Sequence, residues 1–430
     1  MTLEQLQKRC LDAVDVGESD LAPPIAALGR RLRMQAAELP LPGRRDEEWR
    51  YTDLKALTRS FDTKLPASSD LDARLTSILE DGTGLATLVF IDGQLEMNRS
   101  TDPSSLAVTP LQDLSAQQAE ALASELGDVR LDDDSFFSRL AAAQLRQGFW
   151  LQVKRNANQA PLRVIYLNTK KDSSTATVIQ NILSLEANSE AELVEYHLGT
   201  AGHGSLFTSM THVKLAAGAT FTRVKIQDES AEGNHIANTR VVQARDSHYH
   251  NHLFNLGGNL VRDNVEVTLA EPGADCKLQG LYLSENSQRH DMRTFIDHAE
   301  PHCTSDQHYR GILGDASRAV FNGRVLVRQD SQQTSAEQLN QNILLSQDAH
   351  VDTKPQLEIF ADDVRCTHGA TVGQLDEEAI FYLRSRGIGI NTARHLLTEG
   401  FAAEILNQVP DTLRTPYLEQ QVHGTLSRMG

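Results

Sequence analysis

A long stretch of strand-like sequence constrains the fold of this chain more than any other feature. From about Phe149 to residue 372, short runs rich in β-branched residues follow one another with hardly a helical period. The runs include Thr177–Leu185, Phe221–Ile226 and Asn264–Leu269. Many of them alternate apolar with polar residues, as Asn264–Leu269 does, a pattern that predicts strands with one buried face. Many short strands joined by tight corners favour a β-solenoid over a β-sandwich, so we expect a mainly β protein.

A small turn pattern separates several of these runs. It consists of Gly or Asp followed by Ala and a polar residue, and it occurs at Gly218–Thr220, Gly273–Asp275, Asp315–Ser317, Asp348–His350 and Gly369–Thr371. The intervals are irregular, so the pattern predicts corners and not a strict repeat. A solenoid has open strands at its ends, which must be capped or paired. Flanking helices can cap one end, and a partner chain can cover the other.

Helical periodicity marks the first third of the chain. Apolar residues at three- to four-residue spacing predict helices over Leu3–Val14, Ile25–Ala37 and about Ser115–Glu125. Between them, Leu85–Gly93 reads as a strand that ends in an Asp-Gly turn.

The C-terminal segment predicts a small helical unit with an apolar face. One helix is expected over Asp376–Arg386 and ends at Gly387, and Asn391 is a candidate N-cap for a second helix. Their apolar residues exceed what two short helices can bury alone, so we expect some of them to contact the rest of the protein or a partner. The candidates for partner binding are Phe381, Leu383, Leu396, Leu397 and Phe401. The predicted domains are residues 1–148 (helix-rich), 149–372 (β-helix core) and 373–430 (helical).

Charge and composition exclude several classes of function. The formal net charge is −17 and no run of Lys or Arg exceeds a pair, so nucleic acid and anionic membranes are not expected as partners. No segment approaches the ~20 apolar residues of a membrane helix, and no apolar stretch typical of a signal peptide follows Met1. The four cysteines are scattered and form no CxxC pair. This usage predicts a cytoplasmic protein without a self-contained metal site.

Three stretches carry a resemblance to a known family. They are Glu47–Leu54 (EEWRYTDL), Gly311–Val327, which contains FNGRV, and Cys366–Ile388, which begins CTHGATVGQLDEE. In these motifs, their order and its length, the chain resembles the SufB/SufD family of iron–sulfur cluster assembly scaffold subunits. Gly369-Ala370 follows the histidine of the third stretch, where SufB has Glu-Ala, so the chain is more similar to the sister subunit of SufB.

The resemblance implies both a fold and a set of partners. The implied fold is a right-handed parallel β-helix flanked by N-terminal and C-terminal helical domains. The implied function is that of a scaffold and not an enzyme. The chain would pair with SufB through the β-helix core, and the ATPase SufC would dock on the C-terminal helical domain. A nascent, transient iron–sulfur cluster would form at the SufB interface. The chain lacks GxxxxGK[ST], in agreement with a subunit that binds no ATP itself. Reduced flavin on the whole complex and a homodimer of the isolated chain stay open.

Cys366 and His368 are the candidates for cluster assembly. They lie two residues apart, so on a strand both side chains point to the same face and can reach one iron atom or one mobile sulfur species. The alternative is a Cys that packs as a small apolar residue and a His that hydrogen-bonds at a corner. The resemblance favours His368 as a metal ligand to the nascent cluster. It leaves Cys366 secondary, because the sulfur-accepting cysteine is attributed mainly to SufB.

Other histidines and aromatic residues are weaker candidates. His248, His250 and His252 alternate, which predicts three imidazoles on one strand face, and an exposed polar face is favoured over a metal site. Trp49 and Tyr51 are expected to anchor the N-terminal region. We expect solvated loops, and not a zinc site, at a further group of histidines near Asp297 and Cys303. Its members are His290, His298, His302 and His308.

Two other functions compete with the scaffold. A carbohydrate-active β-helix enzyme is disfavoured, because such enzymes are mostly secreted and use aromatic platforms, whereas aromatic residues make up only 5% of this chain. A structural activator of the ATPase with no role in holding a cluster stays possible on the sequence. Substitution of His368 separates it from the scaffold.

Overall fold

Two long parallel sheets face each other and form a β-solenoid. The computed structural model describes residues 2–14, 21–60, 70–127, 135–169, 176–199 and 205–429. One sheet has ten strands and the other nine, and the chain alternates between them so that each turn adds one strand to each sheet. The expected mainly β fold with a parallel β-helix core and helical flanks is confirmed.

Elements are numbered in chain order. In the N-terminal region these are α1 Leu3–Ala13, α2 Pro23–Glu38, α3 Lys55–Ser60, α4 Asp70–Leu79, β1 Ala86–Ile91, β2 Gln94–Leu95, β3 Val108–Pro110, α5 Ala116–Gly127 and α6 Phe136–Ala142. Short 3-10 helices lie at Glu47–Trp49, Met97–Arg99, Pro103–Ser105 and Leu111–Asp113.

After β3, the nine-stranded sheet contains β4 Gly148–Val153, β6 Ala176–Leu185, β8 Leu206–Leu215, β10 Asn234–Gln243, β12 Leu260–Leu269, β14 Arg289–His298, β16 Arg318–Val327 and β18 His350–Ile359. After β1 and β2, the ten-stranded sheet contains β5 Asn158–Asn168, β7 Glu190–Gly199, β9 Thr220–Asp228, β11 His248–Asn255, β13 Asp275–Ser284, β15 Thr304–Leu313, β17 Ser335–Leu344 and β19 Arg365–Gly373. The C-terminal helices are α7 Glu377–Ser385, α8 Ile390–Leu406 and α9 Pro416–Met429.

Alternation along the strands puts one set of side chains inside the solenoid and the other outside. The interior is mainly apolar and includes Phe149, Phe221 and Phe321. Tight corners join the strands, and residues such as Gly218 and Gly273 adopt left-handed φ values of 69° and 80° there. The predicted corners before β9, β13, β16 and β18 are therefore present. Gly369–Thr371 is wrong as a corner, because it lies within β19.

Most of the N-terminal helices cover the outer face of the nine-stranded sheet, whereas Leu71, Leu75 and Ile78 of α4 pack with the outer face of the ten-stranded sheet. Trp49 of the EEWRYTDL motif is 2% exposed, and its ring lies 3.8 Å from the Arg262 guanidinium on β12. Arg262 also donates hydrogen bonds to the Glu48 carbonyl (2.8 Å) and to Asp291 Oδ2 (2.6 Å). The predicted anchoring role is confirmed for Trp49. Tyr51 differs, because 40% of it is exposed.

The C-terminal helices cover the outer face of the ten-stranded sheet. Ile405, Leu413, Leu418 and Leu426 are buried against residues of that face. Helix α9 was not predicted, and α8 begins after Gly389, so Asn391 lies inside it and is wrong as its N-cap. The division into three domains stays a prediction, although β1 shows that the first region also adds a strand to the ten-stranded sheet.

Candidate functional site

The two ends of the solenoid differ in how their strands are covered. At the first end, β2 pairs with β1 and β3 pairs with β4, both antiparallel. At the other end, β18 and β19 are the last strands of their sheets, and within the described residues no strand pairs with their outer edges. Most of β19 is exposed. We call the end formed by β18 and β19 the open end.

Cys366 and His368 lie on the same side of β19. They are in register with Ala336 and Gln338 of β17, which are 3% and 1% exposed and face the solenoid interior. The side chains of Cys366 and His368 therefore lie next to inward residues of β17 and face the solenoid interior at the open end. The expected shared strand face is present, and the role of the two residues in cluster assembly stays a prediction.

Cys366 is half-buried beside Val325, Val327 and Ala336. Burial raises the pKa of its thiol, and a backbone hydrogen bond at Ala336 opposes this only partly. The thiol therefore stays protonated near neutral pH in the isolated chain. Since the thiolate is the form that binds metal or sulfur, Cys366 needs a metal ion or a partner's positive charge before it can react.

Polar side chains lie directly beneath this pair and were missed in the sequence. Gln338 is buried under His368, and neither of its amide atoms has a hydrogen-bond partner in the described part of the chain. On β18, the buried Oγ1 of Thr353 is also without such a partner. An unsatisfied buried polar group is costly, so this end of the interior is suited to further polar contacts. The signal was Gln at an inward position of an alternating strand.

The five predicted docking residues separate into exposed and packed side chains. Phe381 is 72% exposed and Leu396 43% exposed, so both are accessible to a partner. Leu383 and Leu397 are half-buried. Phe401 packs against the ten-stranded sheet, with the Arg310 guanidinium 4.4 Å from its ring centre. Prediction missed two further exposed apolar side chains, Tyr382 (57%) and Ile390 (42%).

The alternating histidines of β11 face outward, but they are not equally exposed. His248 is exposed and His250 is half-buried, in partial agreement with an exposed polar face. His252 is only 4% exposed, which contradicts that expectation. It lies in register with Gln279, which hydrogen-bonds Gln408 just after α8. Burial lowers the pKa of His252 to about 4, and the charges of His250 and Lys277 act in the same direction.

The expectation of solvated loop histidines is wrong for three of the four residues. His290 and His298 lie on β14, face inward and are 1% and 0% exposed. His290 Nε2 is 3.0 Å from the Gly257 carbonyl, and His298 Nε2 is 2.9 Å from Ser305 Oγ. Burial lowers the pKa of each to about 4. His308 is half-buried on β15, and only His302 lies in a turn.

Charged pairs inside the solenoid were also missed. Arg223 donates to Glu195 Oε2 at 2.5 Å, and Lys225 forms an ion pair with Asp263. Burial alone would raise the pKa of Glu195, but Arg223 and His197 outweigh it and lower that pKa to about 2. These pairs lie on β7, β9 and β12, well away from the open end. Each charged side chain points into the solenoid because of its position on the strand, and its partner compensates the buried charge.

Comparisons with known proteins agree with this architecture. Residues 166–401 match the family model described as SUF system FeS cluster assembly, SufBD core domain. A SufBD family iron–sulfur cluster assembly protein of Synechocystis is 32% identical over 391 residues, which cover 86% of this chain and 84% of that protein. The iron–sulfur cluster assembly protein SufD of Escherichia coli is 32% identical over 400 residues, covering 91% and 89%.

The similarity extends over nearly the whole length of a third relative. A chloroplastic protein of Arabidopsis thaliana is 29% identical over 429 residues, which cover 96% of this chain and 90% of that protein.

None of the described helices is long and apolar enough to cross a membrane. The family match includes most of the solenoid and the open end with Cys366 and His368. This chain therefore belongs to the SufBD family of the SUF system, as a SufD-like iron–sulfur cluster assembly protein.

Proposed function

We propose that this chain is a non-catalytic scaffold subunit that pairs with SufB at the open end and helps to hold a nascent iron–sulfur cluster there. One observation carries the proposal. The open end combines two unpaired strand edges with Cys366 and His368, which face inward on the last strand. Strand edges that no described element covers invite pairing with another chain.

The composition of the open end suits a protein partner. Phe360, Val372 and Ile359 are 64%, 47% and 39% exposed, so apolar surface accompanies the free strand edges. Pro355 lies on β18 and supplies no amide donor, as is usual for an edge strand. β19 contains no proline, so all of its amides that point away from β17 can donate to an added strand. A SufB strand added there would extend the ten-stranded sheet and bury these side chains.

The chemistry of the site suits shared ligation of the cluster as cargo. A neutral imidazole at His368 donates one nitrogen to iron, while SufB supplies thiolate ligands. Because the Cys366 thiol is held in its protonated form by burial, it becomes a ligand only when iron or a partner's charge is near. A site divided in this way explains how a chain without a CxxC pair takes part in cluster assembly.

The exposed apolar residues of α7 and α8 are proposed as the docking site of the ATPase SufC. Phe381 and Leu396 lead this surface because they are the most exposed of the predicted residues. Deletion of the C-terminal helices is a poor test, since it would uncover the sheet face against which Ile405, Leu413 and Leu426 are buried. Point substitutions avoid this problem.

A pair of exposed phenylalanines gives a matched test of the two interfaces. Phe381→Ala is expected to weaken binding of SufC and leave binding of SufB unchanged. Phe360→Ala, at the open end, is expected to do the reverse. Affinity capture of each purified variant with SufB and SufC measures both effects. If Phe381→Ala binds SufC as tightly as the unsubstituted chain, the docking site lies elsewhere.

Substitution of His368 tests the scaffold function itself. We expect His368→Ala to assemble with SufB and SufC, because an exposed imidazole contributes only about 1 kcal/mol to stability. Loss of the ligand should weaken cluster binding roughly tenfold or more. Iron, acid-labile sulfide and the absorption spectrum of the anaerobically purified complex measure the loss. His308→Ala on β15 is the matched control. Unchanged iron content in His368→Ala would instead favour a structural activator of the ATPase.

Two further features belong to the same proposal. All four cysteines are free, which supports a reducing compartment, and we place the complex in the cytoplasm. The same absorption spectrum tests whether reduced flavin accompanies the assembled complex.

A further inference from the structure

Three potential metal ligands meet on the outer face of the ten-stranded sheet, away from the open end. His248 and His250 lie on β11, and Asp275 begins the neighbouring strand β13 in register with His248. One donor atom from each of the three side chains lies within 4.8 Å of the other two. Asp275 is three strands away from β19, about 14 Å at the usual strand spacing, and it points outward, whereas Cys366 and His368 point inward.

The distances are close to those of a metal site. His250 Nε2 is 3.2 Å and His248 Nδ1 is 3.6 Å from Asp275 Oδ1. In a tetrahedral zinc site with ligand bonds of about 2.0–2.1 Å, neighbouring ligand atoms are about 3.3 Å apart. Both imidazoles already approach the same carboxylate oxygen, and the exposure of His248 permits its ring to rotate toward a shared ion.

The carboxylate is already oriented for this role. Thr304, on the next strand, donates a hydrogen bond of 2.6 Å to Asp275 Oδ2. This bond occupies the oxygen that points away from the histidines and leaves Oδ1 toward them. Hydrogen bonds that fix a ligand from behind are typical of metal sites.

We propose that His248, His250 and Asp275 form a binding site for a first-row divalent transition-metal ion, with water in the remaining positions. Two imidazoles and one carboxylate suit Zn²⁺, Co²⁺ or Fe²⁺ and do not suit Mg²⁺ or Ca²⁺, which prefer oxygen ligands. The site differs from the cluster site in its ligands, since it contains no thiolate. Lys277 is exposed on the same face, and its positive charge opposes the ion.

Titration of the full chain with Co²⁺ and Zn²⁺ under anaerobic conditions tests this site. We expect one ion per chain, with a visible Co²⁺ spectrum of nitrogen and oxygen ligands and no thiolate charge-transfer band. His250→Ala and Asp275→Asn should each weaken binding at least tenfold. His308→Ala and the double variant Cys366→Ser/His368→Ala should bind as the unsubstituted chain does. Lys277→Met should bind severalfold more tightly.

The variants are not expected to unfold the protein, because His250 and Asp275 are both partly exposed, and thermal unfolding of each variant verifies this. Unchanged affinity in both His250→Ala and Asp275→Asn overturns the proposal. So does loss of the bound ion in Cys366→Ser/His368→Ala, since that result would place it at the open end. The first outcome leaves the scaffold function untouched, since that function depends on His368, whereas the second would support metal binding by the residues of the open end.

Discussion

The first end of the solenoid and the open end are built from the same strand repeat but differ in how their strand edges are covered. At the first end, the Phe90 ring stacks 5.3 Å from Tyr166 and 6.3 Å from Phe149, and β1, β2 and β3 cover the strand edges. At the open end, Gln338 and Thr353 are polar residues without hydrogen-bond partners in the described part of the chain. A buried amide without a partner among the described residues occurs at both ends, Asn168 at the first end and Gln338 at the open end. The free strand edges, and not polarity, therefore distinguish the open end, and a partner explains them.

The largest expected difference concerns ion pairs at the two ends. Arg163 on β5 forms a pair with Asp81 at 2.7 Å, and both side chains are 2% exposed. Removal of one partner leaves a buried charge, so Arg163→Ala should lower the free energy of unfolding by about 3–5 kcal/mol. Arg324 near the open end lies 4.0 Å from Glu358, with both side chains 44% exposed. Arg324→Ala should cost about 1 kcal/mol or less. Urea unfolding of both variants measures the contrast, and equal losses would contradict it.

Leucine substitutions compare apolar packing at the two ends. Leu88 on β1 is 0% exposed inside the solenoid, and Leu88→Ala should cost about 2–5 kcal/mol because it leaves a cavity. Leu357 on β18 is only half-buried, so Leu357→Ala should cost less than about 1.5 kcal/mol in the isolated chain. Thermal unfolding gives the ranking. The same measurement in the presence of SufB sharpens the comparison. The stability loss caused by Leu357→Ala should then be larger, because a partner buries this end.

The protein should become less stable as the pH is lowered, because of the two inward histidines of β14. Burial lowers the pKa of His290 and of His298 to about 4, below the ordinary 6.5. Between pH 6.5 and 4, the unfolded chain therefore binds more protons than the folded chain, so the free energy of unfolding falls as the pH falls through this window. Each residue accounts for up to about 3 kcal/mol.

Urea unfolding between pH 4.5 and 7.5 measures this dependence. The double variant His290→Asn/His298→Asn should make it shallower without removing it, because burial also lowers the pKa of His197 and of His252 to about 4. His350→Asn, at an exposed position of β18, is the control. A slope that stays unchanged in the double variant would show that other buried groups control the acid limb.

The sequence predicted the solenoid because alternation is a local property of each strand. Asn264–Leu269 alternates clearly and lies in a strand of the nine-stranded sheet. Thr177–Leu185 alternates less regularly, and its β-branched residues still identify a strand of the same sheet. Alternation does not say which set of side chains faces inward. The inward positions of His290 and Glu195 were therefore missed, because polar residues inside a solenoid depend on partners that are distant in the sequence.

The candidate site was predicted only in part for a similar reason. The spacing of Cys366 and His368 fixes their shared face once they lie on a strand. The openness of that end depends on what covers β18 and β19, and a partner is invisible in one sequence. The contact between Gln338 and His368 depends on the register of β17 and β19, which joins residues 30 positions apart and is not visible in the local sequence.

The smallest expected effect distinguishes the two side chains of the cluster site. Cys366→Ser replaces a half-buried thiol by a hydroxyl of similar size, so the isolated chain should lose no more than about 1–2 kcal/mol of stability. The raised pKa keeps the thiol protonated, which makes it a weaker ligand than the imidazole of His368. Cys366→Ser should therefore lower the iron content of the anaerobically purified complex less than His368→Ala does. Iron and sulfide analysis of both variants, prepared in parallel, measures the order. If Cys366→Ser loses as much iron as His368→Ala, SufB or the bound iron must shift Cys366 to its thiolate form, and the open end would contribute two ligands to the cluster instead of one.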